Sequence, residues 1–226
     1  MKRVATILVG LIALIAVVGT ASAALRVPQV PVFGACLQGE LNGQGESINV
    51  LTDQQDIQRW QSTVSNNSTF TIQVELSANA AANTYGIYNA NLAAPPLYLV
   101  FPGAATTGWF ATASFRNAPV RVVVNLFDNN AAFVGTVTYL GANRNDFGFY
   151  LSGPGGLFYT QDARNPGPQA LTYAGTGINS GSWWIAWEDT PFAANSDFCD
   201  ALLFCESINP TPVSKTTWGS VKARFR

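Results

Sequence analysis

The sequence predicts an all-β protein: an antiparallel β-sandwich, jelly-roll-like or immunoglobulin-like, with one short N-terminal helix. Phe70, Ile72, Val74 and Leu76 alternate with polar residues, which is the period of a strand with one buried face. Further short apolar runs follow about every ten residues, separated by turn sequences such as residues 128–130 and 153–156. Strands and helices do not alternate along the chain, so a parallel sheet is not expected.

The first 24 residues are predicted to be a signal peptide. Lys2 and Arg3 precede an uncharged apolar run, and Ala21-Ser22-Ala23 matches a signal-peptidase site. An uncleaved membrane anchor is the alternative, although the run is short for a bilayer span. Residues 25–212 are then expected to form a single domain of a secreted or periplasmic/extracellular protein, without a membrane span in the mature chain.

The amino-acid composition excludes some classes of function. The chain has 12 basic residues, 13 acidic residues and no histidine. Without histidine, Ser-His-Asp and Cys-His catalysis are excluded, and any metal is expected to be a hard cation that prefers oxygen. Lysine and arginine are scattered singly, which argues against a nucleic-acid partner.

Individual elements follow from local patterns. The helix is predicted over residues 52–64, since Thr52 with Gln55 forms a capping box and Ile57, Trp60 and Val64 have helical spacing. A short basic tail is expected over residues 213–226. The strands are predicted over residues 47–51, 70–76, 85–88, 97–101, 108–115, 120–127, 132–140, 147–151, 156–160, 169–173, 183–187 and 201–205.

Three cysteines, Cys36, Cys199 and Cys205, allow one disulfide in an exported protein. A straight strand would separate Cys199 from Cys205 by roughly 20 Å, too far for a bridge. A bridge from Cys36 to one of them would tie the N-terminal segment to the last strand. A bulged loop joining Cys199 to Cys205 is the alternative.

Acidic residues concentrate where the strand containing Trp183, Trp184 and Trp187 leads into the last long strand. Five of the 13 lie between residues 188 and 206. Neighbouring carboxylates repel one another, and calcium relieves this because it binds six to eight oxygens. The predicted ligands are Glu188, Asp189, Asp197 and Asp200. A solvated acidic loop and a pair of catalytic acids are the alternatives, and the three tryptophans are predicted to be core residues.

These residues resemble a bacterial secreted domain-of-unknown-function family, the one catalogued as four-one-one-four. Trp187-Glu188-Asp189 and residues 195–200 (NSDFCD) match its acidic signature, and residues 74–90, 145–165, 169–175 and 204–213 resemble other segments. The resemblance covers nearly the whole mature chain and implies a β-sandwich whose acidic loop binds calcium or acts in catalysis. Asn195 replaces an acid of the signature, and Phe192-Ala193-Ala194 replace glycines.

The expected function is therefore that of a secreted, non-enzymatic extracellular or surface module. It is expected to be stabilised by calcium and to bind carbohydrate or a surface protein. A glycosidase-like hydrolase that uses two acids of the 188–200 loop is the alternative.

Overall fold

The computed structural model describes residues 24–211. The expected signal peptide, apart from its last residue, and the basic tail lie outside the described residues. The elements are α1 (Cys36–Gly43), β1 (Trp60–Ser62), β2 (Asn67–Glu75), β3 (Thr84–Asn89), β4 (Leu97–Phe101), β5 (Phe110–Asn117), β6 (Val120–Phe127), β7 (Phe133–Leu140), β8 (Phe147–Gly153), β9 (Gly156–Tyr159), β10 (Ala170–Ala174), β11 (Trp183–Trp187), β12 (Ala201–Glu206) and β13 (Ile208–Pro210). Two 3-10 helices add Asp162–Arg164 and Gly177–Asn179.

The strands form two antiparallel sheets, which confirms the predicted all-β sandwich. One has the order β13-β1-β8-β3-β4, with β9 also paired to β8, and the other has the order β10-β11-β12-β2-β5-β6-β7. Side chains from both sheets, such as Phe70, Ile185 and Phe149, pack into one apolar core between them. Within residues 24–211, no helix has the length and apolar character needed to cross a bilayer.

A second apolar cluster lies on the opposite face of the seven-stranded sheet. Leu37 and Leu41 of α1 pack there against Trp184 and Leu202. The β11 strand is therefore buried on both faces, which explains its almost unbroken apolar sequence. The prediction that its three tryptophans are core residues is confirmed, since Trp183, Trp184 and Trp187 are all buried.

The strand predicted over residues 47–51 is absent: the Gln38 side chain of α1 bonds to the Ile48 carbonyl and the Val50 amide, so these groups do not pair with a strand.

The helix is not where the sequence predicts it, and the prediction for residues 52–64 is wrong. The backbone N–H of Gln55 donates to the Thr172 carbonyl of β10. The Thr172 hydroxyl lies within hydrogen-bond distance of the backbone carbonyls of Gln55 and Ile57. Trp60 pairs with Phe147 and Pro210 in β1. These bonds to distant strands hold the segment extended and override its helical spacing.

The observed helix, α1, has weak local signals. It contains two glycines, Gly39 and Gly43, and no side chain caps its N-terminus. Its C-terminus has a Schellman motif, in which Glu46 N–H donates to Leu41 O and Gly45 N–H donates to Asn42 O. Gly45 adopts a φ of 79°, which this motif requires and glycine tolerates. The apolar face of α1 packs against the sheet, and this packing stabilises the helix.

The disulfide joins Cys36 to Cys199, with their Cα atoms 6.0 Å apart. Of the pairings left open by the sequence, it is one that ties the N-terminal segment to the C-terminal part of the chain. The bond fixes the start of α1 to the loop before β12. Cys205 is free and buried, and burial raises the pKa of its thiol. A disulfide is compatible with an extracellular protein.

Candidate functional site: a buried acidic corner

The acidic loop joins β11 to β12 at one end of the seven-stranded sheet. Trp187 pairs with Ala201, which pairs in turn with Glu75 at the end of β2. Asp189 and Asp200 follow directly from this row of paired residues. The register therefore brings Glu75, Asp189 and Asp200 to one corner, although they come from distant parts of the chain. We call these three residues the acidic corner.

A β-bulge turns Glu75 toward the interior. Ile72 pairs with Leu203 and Val74 pairs with Leu202, so Gln73 is an extra residue in β2. Ile72 lies in the core between the sheets, whereas Val74 lies in the cluster beneath α1. The alternation reverses at the bulge, as bulges commonly re-aim side chains. Glu75 consequently faces inward and Leu76 is 58% exposed, which corrects the prediction of a buried Leu76.

Glu188 and Asp197 organise the loop itself. Glu188 Oε2 accepts hydrogen bonds from the Asp197 and Phe198 amides at 3.1 and 3.4 Å, and its Oε1 accepts one from the Thr190 hydroxyl at 2.9 Å. Asp197 Oδ1 accepts one from the Cys199 amide at 2.9 Å. Both carboxylates thus receive donors from within the loop.

Gln169 also supports the loop from β10. It is fully buried; its Nε2 donates to the Glu188 and Thr190 carbonyls, and its Oε1 accepts from the Phe192 amide at 2.6 Å. Together with the Cys36–Cys199 disulfide, these bonds fix both sides of the loop. The loop is therefore held as a defined structure.

The Asp189 carboxylate accepts hydrogen bonds from three side chains of the segment that joins β2 to β3. Its Oδ2 accepts hydrogen bonds from the Ser77 hydroxyl, from Asn79 Nδ2 at 3.2 Å and from Asn83 Nδ2 at 2.8 Å. Burial acts to raise the pKa of Asp189, but the bonds from Asn83, Ser77 and Asn79 outweigh it and lower the pKa. With only 2% of its surface exposed, Asp189 is a buried, charged acceptor.

The pKa values of Asp200 and Glu75, by contrast, are raised. Burial, together with the charges of Asp189 and Glu188, raises the pKa of Asp200 to about 7, although the Asp189 amide donates to its Oδ2 at 2.8 Å. Burial likewise raises the pKa of Glu75 to about 7, while Tyr85 donates to its Oε2 at 2.5 Å. The corner therefore contains more carboxylates than its donors can stabilise in the charged form.

Two buried oxygens in this region have no hydrogen-bond donor: Glu75 Oε1 and Asn83 Oδ1. Asn83 is 1% exposed. The hairpin between β8 and β9 covers them closely, since a Cβ atom at Gly153 would clash with Asn83 Oδ1 and one at Gly155 would clash with the Asp189 carbonyl oxygen. Gly153 and Gly155 thus allow the hairpin to lie directly against Asn83 and the backbone of Asp189.

The predicted calcium ligands are divided between two environments. Asp189 and Asp200 lie together beside Glu75, whereas Glu188 and Asp197 bind amides of the loop. Across residues 24–211, no three carboxylate or thiolate side chains already converge as a metal site. Glu75 Oε1 and Asn83 Oδ1, which have no donor among the described residues, are carboxylate and amide oxygens, the ligand types that calcium prefers.

Sequence reasoning from local patterns missed Glu75 and Asn83. Alternation along β2 placed Glu75 on the solvent face, and nothing local links residue 83 to residue 189. The signal that the sequence offered was the expected family resemblance, which covers the strand containing Glu75 and the sequence Asn83-Thr84-Tyr85-Gly86; the structure places Thr84 to Gly86 in β3. Comparison with protein families, curated proteins and solved structures finds no match to this chain.

Proposed function

We propose that this chain is an exported, non-enzymatic β-sandwich module that binds carbohydrate or a surface protein, with calcium stabilising its acidic corner. The observation that supports a non-enzymatic role is the burial of Asp189. A glycosidase needs two acids about 5–10 Å apart that flank a bound sugar. Asp189 and Glu188 are 2% and 9% exposed and accept hydrogen bonds from their own chain, so a substrate has little access to them.

The calcium part is supported by the unpartnered oxygens. Glu75, Asn83, Asp189 and Asp200 would hold the ion, and its charge would offset the repulsion that raises the pKa of Asp200. Extracellular modules bind calcium with dissociation constants of about 0.1–1 mM. At roughly 10 mM calcium the expected stabilisation is about 1.4–2.7 kcal/mol.

A thermal melt of the exported chain with calcium and then with chelator tests this part. At about 2–4 °C per kcal/mol, the midpoint should rise by roughly 3–10 °C with calcium. The Glu75→Gln/Asp200→Asn double variant should lose the shift, because two of the four ligands are weakened. Glu206→Gln, at an exposed acid at the far end of β12 from Asp200, is the matched control and should keep it. An unchanged wild-type midpoint would eliminate calcium from the proposal.

The carbohydrate part is supported by a surface groove of about 350 Å³ between the N-terminal segment and Phe192. Pro28 and Pro31 give it apolar walls, and the Arg26–Asp162 ion pair provides polar groups. Small-ligand sites combine such walls with a few polar groups in cavities of roughly 300–1,000 Å³. Binding to a glycan array that Arg26→Ala weakens would support this assignment, and binding that it leaves intact would contradict it.

The hydrolase alternative is favoured by one observation, the pKa of about 7 for Glu75 and Asp200. An acid with such a pKa can donate a proton at neutral pH. Hydrolysis of chromogenic glycosides that Asp200→Asn abolishes, in a variant with a wild-type melt, would establish the alternative and refute the non-enzymatic proposal.

A further inference from the structure

The β7 strand is the outermost strand of the seven-stranded sheet at the end far from β10. It has eight residues, and the chain carries no charged residue and no proline between Asp128 and Arg144. Natural edge strands are usually short, charged, bulged or interrupted by proline, because an unprotected edge pairs with other strands. The sequence of β7 has no charge or proline protection. A bulge at Val134 interrupts its N-terminal end, but Gly135 to Leu140 pair with β6 in regular register and leave their other edge regular.

Large apolar side chains along β7 are exposed. Leu140, Phe133, Val134 and Val137 are 68%, 62%, 50% and 40% exposed. A groove of about 280 Å³ runs beside them, and Val137 and Tyr139 of β7 line it with Leu99 and Pro102 from the other sheet. This edge therefore presents both a free strand and an apolar surface next to it.

The opposite edge of the same sheet is protected. The Gln55 amide donates to the Thr172 carbonyl of β10, and the Thr172 hydroxyl donates to the carbonyls of Gln55 and Ile57. The chain thus covers β10 with its own backbone and leaves β7 uncovered among the described residues. Within residues 24–211, the β7 edge is therefore available for pairing with another strand.

We propose that two copies of this chain pair through β7, antiparallel, and so join their seven-stranded sheets into one. Charge supports a second copy as the partner. Asp128 precedes β7, whereas Arg144 follows it and Arg121 pairs with Leu140 at its C-terminal end. Antiparallel pairing places the acidic end of one strand beside the basic end of the other, and the uncharged middle faces itself without repulsion.

A twofold axis perpendicular to the sheet preserves its faces, so residues of the same parity oppose each other. With the axis at Val137, Val134 lies opposite Leu140 of the partner subunit, and Thr136 lies opposite Thr138 of the partner subunit. Apolar and Thr–Thr cross-strand pairs of these kinds are stabilising. With the axis at Val137 the two strands overlap over residues 134–140, about 24 Å of strand edge, which suits a dimer in the micromolar range rather than an obligate one.

Sedimentation velocity of the full exported chain from about 1 to 200 µM tests the pairing, since this range brackets a micromolar dissociation constant. The wild type should shift from monomer to dimer. Val137→Lys should raise the dissociation constant by at least about tenfold, because it brings like charges together at the axis. Leu140→Lys should raise it by a smaller factor, because it replaces an apolar contact across the strand pair by a charge. Val64→Lys, at a fully exposed turn position away from β7, is the control and should dimerise normally.

Cysteine cross-linking fixes the register. Only a residue at the twofold axis faces its own copy, so Val137→Cys should form a disulfide-linked dimer under mild oxidation, whereas Val64→Cys should not. A strong link through Thr136→Cys instead would support the pairing with the axis moved by one residue. A monomeric wild type at 200 µM, or a dimer that both lysine variants leave unchanged, would overturn the proposal.

Discussion

Two glutamates, Glu46 and Glu75, lie against opposite faces of the seven-stranded sheet and have contrasting surroundings. Glu46 accepts four hydrogen bonds at 2.6–2.7 Å, from the amide and hydroxyl of Thr176, Asn179 Nδ2 and Trp184 Nε1. Glu75 accepts one from Tyr85, and its Oε1 has no donor. Both oxygens of the Glu46 carboxylate therefore accept hydrogen bonds, whereas only Oε2 of Glu75 does.

The two pKa values follow the number of donors. Burial acts to raise the pKa of Glu46, but the hydrogen bonds from Thr176, Asn179 and Trp184 lower it below its ordinary value. Burial raises the pKa of Glu75 to about 7, and the nearby charges of Asp189 and Asp200 act in the same direction. A buried acid is thus stable as an anion where donors outnumber acids, and it needs a proton or a cation where they do not.

Replacing each glutamate by glutamine should give the largest difference. Glu46→Gln should lower the unfolding free energy by about 2–4 kcal/mol at pH 7, because charge-assisted bonds are lost and the amide NH2 meets other donors. Glu75→Gln should have little effect at pH 6 and raise the melting temperature at pH 8, since it fixes the neutral form. Denaturant unfolding of both variants measures this, and equal losses would refute the contrast.

The pH dependence of stability should be the next largest effect. In chelator, Glu75 and Asp200 bind protons more tightly in the folded chain than in the unfolded one, so their contribution is full below about pH 4 and is lost as pH rises through about 7. Glu46 and Asp189 have lowered pKa values, so their contribution is present above about pH 4 and is lost as pH falls further. Stability should therefore peak at mildly acidic pH.

The decline from pH 5 to pH 8 should amount to roughly 1–2 kcal/mol once solvent screening is allowed for. Calorimetry across this range checks it, and the Glu75→Gln/Asp200→Asn variant should flatten the slope. Calcium should oppose the decline and stabilise more at pH 8 than at pH 5, because it competes with protons for the same oxygens. Stability in chelator that rises steadily to pH 8 would contradict the assignment.

Removing the Tyr85 hydroxyl that donates to Glu75 should have the smallest effect. Tyr85→Phe keeps the buried ring and deletes the hydroxyl, so we expect a loss of about 1 kcal/mol at pH 8. The loss should be smaller at pH 5, where Glu75 is protonated and accepts a weaker hydrogen bond. Unfolding measurements at both pH values test this difference, and a loss independent of pH would argue against a charged Glu75.

Much of the sandwich follows from local pattern. The strands at Leu97–Phe101 and Val120–Phe127 have the predicted bounds, because each is a short apolar run flanked by turn residues. The helix could not be found in this way. Residues 52–64 have better helical spacing than α1, but their backbone groups bond to β10 and β13, and α1 depends on the sheet face that it covers.

The acidic corner was only partly predictable, for a related reason. Asp189 and Asp200 are close in sequence and could be grouped by inspection. Glu75 reaches them through strand register and a bulge at Gln73, and alternation alone assigns it to the wrong face. Local patterns encode which residues form strands, whereas register and bulges depend on the partner strand and so determine the site without a local signal.

The free, buried thiol of Cys205 can be used to measure unfolding of the chain. Its thiol is inaccessible on β12 while the two sheets remain packed, and Cys36 and Cys199 are already bonded to each other. A thiol reagent added to the native, oxidised protein should therefore react only when a molecule opens, so the labelling rate measures how often the sandwich opens at equilibrium.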